Sequence, residues 1–394
     1  MNGNEWRKSF DHCPHRPPRL LLPAVITIPV RMPDPAASGY DVLIGRGALD
    51  TLPRVLVAAA PAAYYALIVD SNVAALHGER VLSGVRATGT RADAFTFPAG
   101  EASKSVAEWS RLTELLLGAG AGRDACVIAL GGGVCCDLAG FVAATCLRGI
   151  PCVHLPTSLL AMVDASVGGK TGIDTPQGKN LVGAFHPPRV VVADPDVLST
   201  LPEPELREGL AEALKHGAIA DAVYLEETVR DIDSIVTHRS AALDRLVVRS
   251  VEIKAAIVAA DPFERGVRAT LNFGHTIAHG LERLTGYRMK HGHAVAVGMV
   301  VEAAIGEAIG VTAPGTADAI REAVIRAGLP SSVPAGTDAA ALIEATASDK
   351  KARSARVRYA LLARAGVSAQ DPSGGWTFEV PPDPATRVLA RLTA

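Results

Sequence analysis

The sequence has few of the features that mark membrane proteins, nucleic-acid-binding proteins or β-sandwiches. Aromatic residues make up only 4% of its 394 residues, which favours α/β or α-rich packing over a β-sandwich. No stretch reaches the roughly 18 uninterrupted apolar residues that a membrane helix requires, so no membrane partner is expected. The formal net charge is −2 and no basic block is present, so no nucleic-acid partner is expected.

Disulfide and zinc-ribbon patterns are also absent. None of the six cysteines shows paired CxxC spacing, and a chain of this length needs no disulfides, so we expect reduced thiols. The apolar run at 20–30 follows basic residues, but prolines interrupt it and no small-residue cleavage site follows, which argues against a signal peptide. We therefore expect residues 1–24 to be a disordered extension and the protein to be cytoplasmic.

The remaining sequence contains two patterns of hydrophobic periodicity. Up to about residue 198, short β-branched runs alternate with amphipathic stretches, which predicts a mostly parallel sheet with a ligand crevice at its carboxyl edge. Beyond that point the periodicity is helical, and no further strands are expected. The predicted fold is an α/β nucleotide-binding domain at 25–195, followed by an all-α metal-binding domain at 196–394.

A run of three glycines, Gly131 to Gly133, follows an apolar strand and opens a helix that contains Asp137. Glycines let the backbone approach a pyrophosphate, and the positive end of a helix dipole favours its charge. A turn that needs glycine only for a positive φ would look the same. The spacing also differs from GxGxxG, so NAD would require a variant binding scheme.

The segment at 164–180, DASVGGKTGIDTPQGKN, combines charged and amide side chains with glycines and small hydroxyl residues. Low bulk together with several polar groups predicts a loop that wraps a phosphorylated, polyhydroxylated ligand. The alternative is a solvated surface loop.

The second half of the chain contains a candidate metal site. Glu212 and Lys215 lie three residues apart and share a helix face, as do His275 and His279 at a spacing of four. His291 follows, so three histidines fall within 17 residues. A glutamate with two histidines is a catalytic zinc set that leaves coordination positions open for substrate oxygens. The residue after His275 is not glutamate, which excludes the HExxH protease pattern.

Several cationic and polar side chains precede His275, among them Lys254, Arg268 and Asn272. Cations close to a metal site indicate recognition of a carboxylate or phosphate, whereas salt bridges between helices are the alternative. Lys350 and Lys351 form either another anion clamp or a solvated charged face.

Long blocks around these residues resemble the 3-dehydroquinate synthase family of sugar-phosphate cyclases, over about residues 25–370. The matching blocks are GGGVCCDLAGFVAATCLRG, LPTSLLAMVDASVGGKTGIDTPQGKNLVGAFHPP, LREGLAEALKHG and LNFGHTIAH…HGHAVAVGM. The resemblance implies an NAD-binding α/β domain, a helical domain that carries Zn2+ (with Co2+ as an alternative metal) and a homodimer.

The resemblance also implies roles for individual residues. The zinc ligands are Glu212, His275 and His291. The family holds NAD at the positions of Asp70, Asn72, Glu101, Lys104, Gly132, Gly133, Asp137, Thr157, Ser158, Lys179 and Thr200. The phosphate pocket corresponds to Lys170, Asn180, Asn272, His279 and Lys351 (or Lys350). Asp164, Lys215 and Glu264 surround the hydroxyl-bearing carbons. Lys254 and Arg268 hold the substrate carboxylate, and Arg148 reaches across the dimer interface.

The implied activity is that of a lyase in the shikimate pathway of aromatic amino-acid biosynthesis. It converts 3-deoxy-arabino-heptulosonate 7-phosphate, a phosphorylated sugar acid, into 3-dehydroquinate and phosphate. NAD transiently oxidises a ring hydroxyl, phosphate is eliminated, the hydride returns, and an intramolecular aldol reaction closes the carbocycle.

Three alternative activities remain open at this point. Valiolone-type cyclases act on sedoheptulose 7-phosphate, which has no carboxylate, so they have no reason to keep Lys254 and Arg268. Aminodehydroquinate synthase would keep both residues, and two departures from the family pattern, Cys136 and His293, leave it open. A metal-dependent alcohol dehydrogenase would share the two-domain layout and would release NADH.

Overall fold

The computed structural model describes residues 26–30, 39–237, 240–348 and 357–393. The predicted extension at 1–24 lies outside the described residues, as do Lys350 and Lys351. No helix among the described residues is both long enough and apolar enough to cross a membrane.

The first half of the chain is built on a sheet of seven strands, as its periodicity predicts. The strands of this half are β1 (Ile26–Val30), β2 (Tyr40–Ile44), β3 (Tyr64–Asp70), β4 (Arg91–Phe97), β5 (Ala125–Gly131), β6 (Cys152–Pro156), β7 (Lys170–Thr175), β8 (Gly178–Phe185) and β9 (Val190–Ala193). The sheet order is β1-β2-β9-β6-β5-β3-β4, and only the β1–β2 pair is antiparallel. The expectation of a mostly parallel sheet is therefore confirmed.

Helices cover the sheet. Those of this half are α1 (Leu52–Ala59), α2 (Glu79–Arg86), α3 (Val106–Gly118) and α4 (Gly133–Thr145). Side chains of β3 and β5 alternate between two hydrophobic clusters, because successive residues of a strand point to opposite faces. Helix α3 begins after Ser105, whose hydroxyl accepts a hydrogen bond from the backbone N–H of Glu108 at 3.3 Å, and it ends at Gly118.

The segment at 164–180 departs from its prediction as a loop. Residues from 170 onward form the antiparallel hairpin β7–β8. A Cβ at Gly172 would lie 2.7 Å from the carbonyl oxygen of Val182, and a Cβ at Gly183 would lie 2.2 Å from that of Thr171. The low bulk of this segment therefore reflects, at least at these two glycines, strands packed too closely for side chains.

The second half is mainly helical, which confirms the predicted fold class. Its helices are α5 (Glu203–Ala220), α6 (Ala222–Ile235), α7 (Ala241–Ala260), α8 (His275–Leu284), α9 (His291–Ala308), α10 (Thr316–Arg326), α11 (Ala339–Ser348) and α12 (Pro382–Leu392). Four short strands also occur: β10 (Arg358–Tyr359), β11 (Leu362–Arg364), β12 (Val367–Ser368) and β13 (Phe378–Glu379). The expectation of no strand after about residue 198 is thus wrong, because strands of two or three residues leave no readable alternation.

The two halves share one hydrophobic cluster, so the sheet packs directly against the helices. Within the helical half, Gly298 of α9 lies against the turn that precedes α8, where a Cβ would stand 1.9 Å from the carbonyl oxygen of Gly274. This close approach packs α9 against the start of α8, the helix that His275 opens. The domain boundary near residue 195 remains a prediction, with β9 ending at Ala193 and α5 beginning at Glu203.

Candidate active site

Residues predicted to bind NAD lie at one edge of the sheet. Asp70 ends β3, Gly132 follows β5, Thr157 follows β6, and Thr200 ends the short helix after β9. The carboxyl ends of parallel strands face the same way, so the topology places these positions along a single crevice. Thr200 is held there by His77, whose Nε2 lies 3.0 Å from its hydroxyl.

The glycine turn is required for close packing rather than for an unusual backbone conformation. None of Gly131, Gly132 and Gly133 has a positive φ. A Cβ at Gly131 would lie 2.5 Å from the Cβ of Cys135, and one at Gly132 would lie 3.3 Å from the hydroxyl of Ser158. The alternative explanation from the sequence, a turn that needs only positive φ, is therefore wrong. Gly132 is also the N-cap of α4, so the N–H groups of that helix open toward the crevice.

A buried lysine joins the cofactor edge to the hairpin. Lys104 is 4% exposed, and its Nζ donates to Asp137 at 2.5 Å and to the side-chain oxygen of Asn180. Burial alone would lower the pKa of Lys104, but Asp137 and Glu101 outweigh burial and raise it. Asn180, which the family resemblance assigns to phosphate, is thus in contact with residues assigned to NAD.

The proposed metal ligands come together at the starts of two helices and the middle of a third. Nε2 of His275 lies 3.4 Å from Oε1 of Glu212, and Nε2 of His291 lies 3.3 Å from the same atom. Donor atoms of all three residues lie within 4.8 Å of one another. The sequence spacing paired residues only within a single helix. The fold brings the three proposed ligands from different helices together.

The second ring nitrogen of each histidine is also held in place. Nδ1 of His275 lies 3.3 Å from the carbonyl oxygen of Phe273, and Nδ1 of His291 lies 3.5 Å from Oε1 of Glu282. Partners of this kind fix the tautomer that leaves Nε2 free to bind a metal. One carboxylate and two oriented histidines therefore fit a divalent ion such as zinc.

Burial and charge shift the pKa values of this cluster strongly. Burial alone would raise the pKa of Glu212, but the Lys215 ammonium together with His275 and His291 outweighs burial and holds the pKa well below its usual range. Burial and the same ammonium lower the pKa of His275 to about 4. Burial would also lower that of His291, yet Glu212 and Glu282 raise it to about 10. A metal that bound Nε2 of His291 at neutral pH would therefore displace a proton from it.

Two buried cations lie beside this cluster. Nζ of Lys254 donates to the backbone oxygen and to Oδ1 of Asp164, both at 2.6 Å. Within the part of the chain that the structure describes, the guanidinium of Arg268, 2% exposed, donates only to the carbonyl oxygens of Gly168 (3.0 Å) and Pro262. Among the described residues no carboxylate pairs with Arg268, and its Nε has no hydrogen-bond partner. A buried, incompletely satisfied guanidinium is suited to a carboxylate from outside the protein.

Most of the remaining predicted residues fall in three places. Glu264, at φ 56°, pairs with Lys170 and accepts a hydrogen bond from Asn272, so residues assigned to phosphate and to the hydroxyl-bearing carbons are in contact. The ring of His279 lies 5.7 Å from that of His275. Arg148 is exposed at φ 69°, and no hydrogen bond or ion pair joins it to another described site residue.

Comparison with known proteins agrees with this arrangement. A model described as 3-dehydroquinate synthase N-terminal matches residues 94–208, and one described as 3-dehydroquinate synthase C-terminal matches residues 209–352. A protein named 3-dehydroquinate synthase from Symbiobacterium thermophilum is 44% identical over 335 residues, which cover 84% of this chain and 94% of that protein. The chain belongs to the 3-dehydroquinate synthase family. The resemblance in its motifs is confirmed.

Solved structures show the same fold as this family member. A 2-deoxy-scyllo-inosose synthase complexed with carbaglucose-6-phosphate, NAD+ and Co2+ matches with a TM-score of 0.83 at 24% identity, covering 93% of this chain and all of that one. A 2-epi-5-epi-valiolone synthase from Streptomyces hygroscopicus with NAD+ and Zn2+ bound matches with a TM-score of 0.81 at 24% identity, covering 92% and 99%. These likenesses establish the architecture.

Two buried residues of the site were not predicted from the sequence. Glu282 contacts His291, and the ring of His216 lies between Ser250 (Nδ1 to Oγ, 3.2 Å) and Asp164 (Nε2 to Oδ1, 3.9 Å). The sequence spacing could have indicated both residues. Glu282 follows His275 by seven residues and His216 follows Glu212 by four, so each shares a helix face with a ligand.

Proposed function

We propose that the protein is a 3-dehydroquinate synthase that converts 3-deoxy-arabino-heptulosonate 7-phosphate into 3-dehydroquinate and phosphate. The observation that carries this proposal is the buried pair Lys254 and Arg268 beside the Glu212 cluster. Of the two cations, only Lys254 has a carboxylate partner among the described residues. An acidic sugar phosphate supplies the missing carboxylate, whereas a neutral sugar would leave the guanidinium buried and underpaired.

NAD would be held along the sheet edge by the eleven residues that the family resemblance assigns to it. When bound, it would supply reversible hydride transfer, which acidifies the C–H bond next to the oxidised carbon and so permits elimination of phosphate. The chain's own part is to orient the cofactor. The N-terminus of α4 would face its pyrophosphate, beside the ion pair that Lys104 makes with Asp137.

The metal would be held by Glu212, His275 and His291. When bound, it would supply Lewis-acid polarisation of a substrate oxygen. Lys215 is 2% exposed and pairs with Glu212, so a fixed ammonium stands beside the oxygen-binding position. This ammonium would donate hydrogen bonds to a substrate hydroxyl or its anion, opposite Asp164.

The substrate would lie with its two anionic ends held apart. Lys170 and Asn272, both joined to Glu264, would bind the phosphate, and Lys254 with Arg268 would bind the carboxylate. Fixing both ends places the atoms that form the new ring close to each other and lowers the entropy cost of closure. The C–O bond to phosphate breaks, a C–C bond forms, and no net oxidation results.

We further propose a cytoplasmic homodimer that acts in the shikimate pathway. The cysteines among the described residues, Cys126, Cys135, Cys136, Cys146 and Cys152, are all unpaired thiols, which suits a reducing compartment. The exposed position of Arg148 suits a side chain that completes the site of the other subunit. Sedimentation of the purified protein tests the homodimer. Recovery of activity when an Arg148→Ala variant is mixed with an active-site variant tests the shared site.

The experiment that tests the activity follows phosphate and NADH in parallel. Heptulosonate phosphate or its amino analogue is added to the NAD- and zinc-loaded enzyme, and a third sample receives no substrate. Stoichiometric phosphate without accumulating NADH is expected from heptulosonate phosphate. Net NADH without phosphate would instead establish a dehydrogenase, and preferential turnover of the amino analogue would establish the aminodehydroquinate activity.

A further inference from the structure

Glu282 stands between two sites that are otherwise separate in the sequence. It is 2% exposed, and its Oε1 lies 3.5 Å from Nδ1 of His291 and 3.3 Å from Nζ of Lys179. His291 belongs to the metal cluster on α9, and Lys179 is a cofactor residue on β8. A single carboxylate oxygen thus contacts one residue from each site.

The two metal histidines differ in what holds them. The ring of His275 is backed by the carbonyl oxygen of Phe273, a neutral and fixed acceptor. His291 is backed by a full negative charge, which raises the basicity of the opposite ring nitrogen. The strength of His291 as a metal ligand therefore depends on whether Glu282 interacts with His291 alone or is shared with another cation.

Lys179 competes for that charge. Its ammonium lies 3.3 Å from Glu282 and 3.4 Å from Glu101, and it contacts the ring of Tyr287 at 5.2 Å. A lysine shared by two carboxylates has an alternative partner, so it can turn toward an anionic cofactor with Glu101 still beside it. When it does, Glu282 keeps only its contact with His291.

We propose that Glu282 is a positioning residue that couples the metal site to the cofactor site through His291 and Lys179. NAD+ draws Lys179 away, Glu282 then interacts more strongly with His291, and the metal binds more tightly. By linkage, the metal tightens NAD+ binding by the same factor. This inference rests on the proposed cofactors of the site and adds an energetic link between them.

The test measures Zn2+ affinity of the metal-stripped, full-length protein against a chromophoric chelator, with and without saturating NAD+ and without substrate. In the wild type, NAD+ should tighten Zn2+ binding about fivefold or more, within the usual range of coupling between sites. In Glu282→Gln, Zn2+ binding should weaken about 10- to 100-fold, and the effect of NAD+ should shrink to within about twofold of unity. A purely structural role would change stability and leave the NAD+ effect intact.

Two further variants keep the result interpretable. Lys179→Met should abolish the NAD+ effect while changing Zn2+ affinity less than Glu282→Gln does. Glu252→Gln neutralises an exposed carboxylate paired with Arg249 on α7 and should behave as the wild type. An unchanged NAD+ effect in Glu282→Gln or Lys179→Met, or no effect in the wild type, would overturn the coupling.

These binding measurements are independent of turnover, so they separate the two proposals. A protein that shows the coupling but releases no phosphate from heptulosonate phosphate would contradict the proposed function alone. A protein that binds neither Zn2+ nor NAD+ would contradict both.

Discussion

The sheet edge and the cluster of Glu212, His275 and His291 position their candidate residues in different ways. At the edge, four parallel strands end side by side, so topology alone places Asp70, Gly132 and Thr157 along one crevice. In the cluster, single side chains from α5, α8 and α9 must converge within 4.8 Å. The edge therefore spreads its candidate residues over several strand ends, and the cluster relies on a few individual atoms.

This difference predicts unequal sensitivity to substitution. A backbone N–H survives a change of side chain, so one substitution at the edge removes only part of the binding free energy. A metal ligand contributes a single donor atom, so its loss removes one of the three protein ligands at once. The predictions below test this contrast.

The largest effect is expected when a ligand of the cluster is removed. His275→Ala should lose zinc and reduce kcat/KM by about a thousandfold or more, because several kcal/mol of transition-state stabilisation are lost together. Metal content by atomic absorption and phosphate release provide the measurements. His77→Ala, at the cofactor edge, should retain its zinc. An active, zinc-free His275→Ala protein would refute the ligand assignment.

A smaller effect is expected at the buried cation beside the cluster. Arg268→Ala should raise KM for heptulosonate phosphate by about 10- to 100-fold, because it removes one partner of a buried charge pair that forms on binding. The effect on kcat should be smaller. Steady-state kinetics measure both, and Arg265→Ala, an exposed neighbour, is the matched control. If KM were unchanged in Arg268→Ala, Arg268 would not hold the carboxylate.

The sheet edge should tolerate an added methyl group better than the cluster tolerates the loss of a ligand. Gly132→Ala should weaken NAD+ binding about three- to tenfold, because its Cβ at 3.3 Å from Ser158 requires only a small displacement. Zn2+ affinity without NAD+ should not change. Fluorescence titration with NAD+ measures the NAD+ affinity. A loss of NAD+ binding as complete as the loss of zinc in His275→Ala would remove the contrast between the two regions.

Without metal, the imidazole of His291 should be protonated. Its folded pKa of about 10 lies above the ordinary value of 6.5, so protonated His291 contributes stability that is complete below about pH 6.5 and is lost as the pH rises toward 10. The Tm of metal-free protein should therefore fall by about a few degrees between pH 7 and pH 9. Zinc-loaded protein should lack this fall, since the metal has displaced the proton. Thermal unfolding at fixed ionic strength measures both, and identical pH profiles would contradict the account.

Much of the fold was predictable from local patterns. Each strand that lines the crevice is a buried run long enough to read, and the turn after β5 contains the small residues that close packing requires. The helix spacing likewise placed Glu212 with Lys215 and His275 with His279. These are short-range regularities, which a sequence carries directly.

Contacts between distant segments were not predictable in this way. Lys179 and Glu282 are 103 residues apart, and no local pattern indicates that hairpin β7–β8 meets α8. The hairpin itself was missed because its glycines were interpreted as room for a ligand rather than for the facing strand. The spacing of Glu282 from His275 showed which face it occupies, whereas its partners became visible only in the structure.

The proposed function requires both regions to bind one sugar phosphate that carries a carboxylate. The most direct test compares kcat/KM for phosphate release from heptulosonate phosphate and from sedoheptulose 7-phosphate, which lacks the carboxylate, with the same NAD- and zinc-loaded enzyme. The account predicts a preference of about a hundredfold or more for heptulosonate phosphate, because the other substrate leaves Arg268 and Lys254 underpaired. Equal turnover, or a preference for sedoheptulose 7-phosphate, would contradict it.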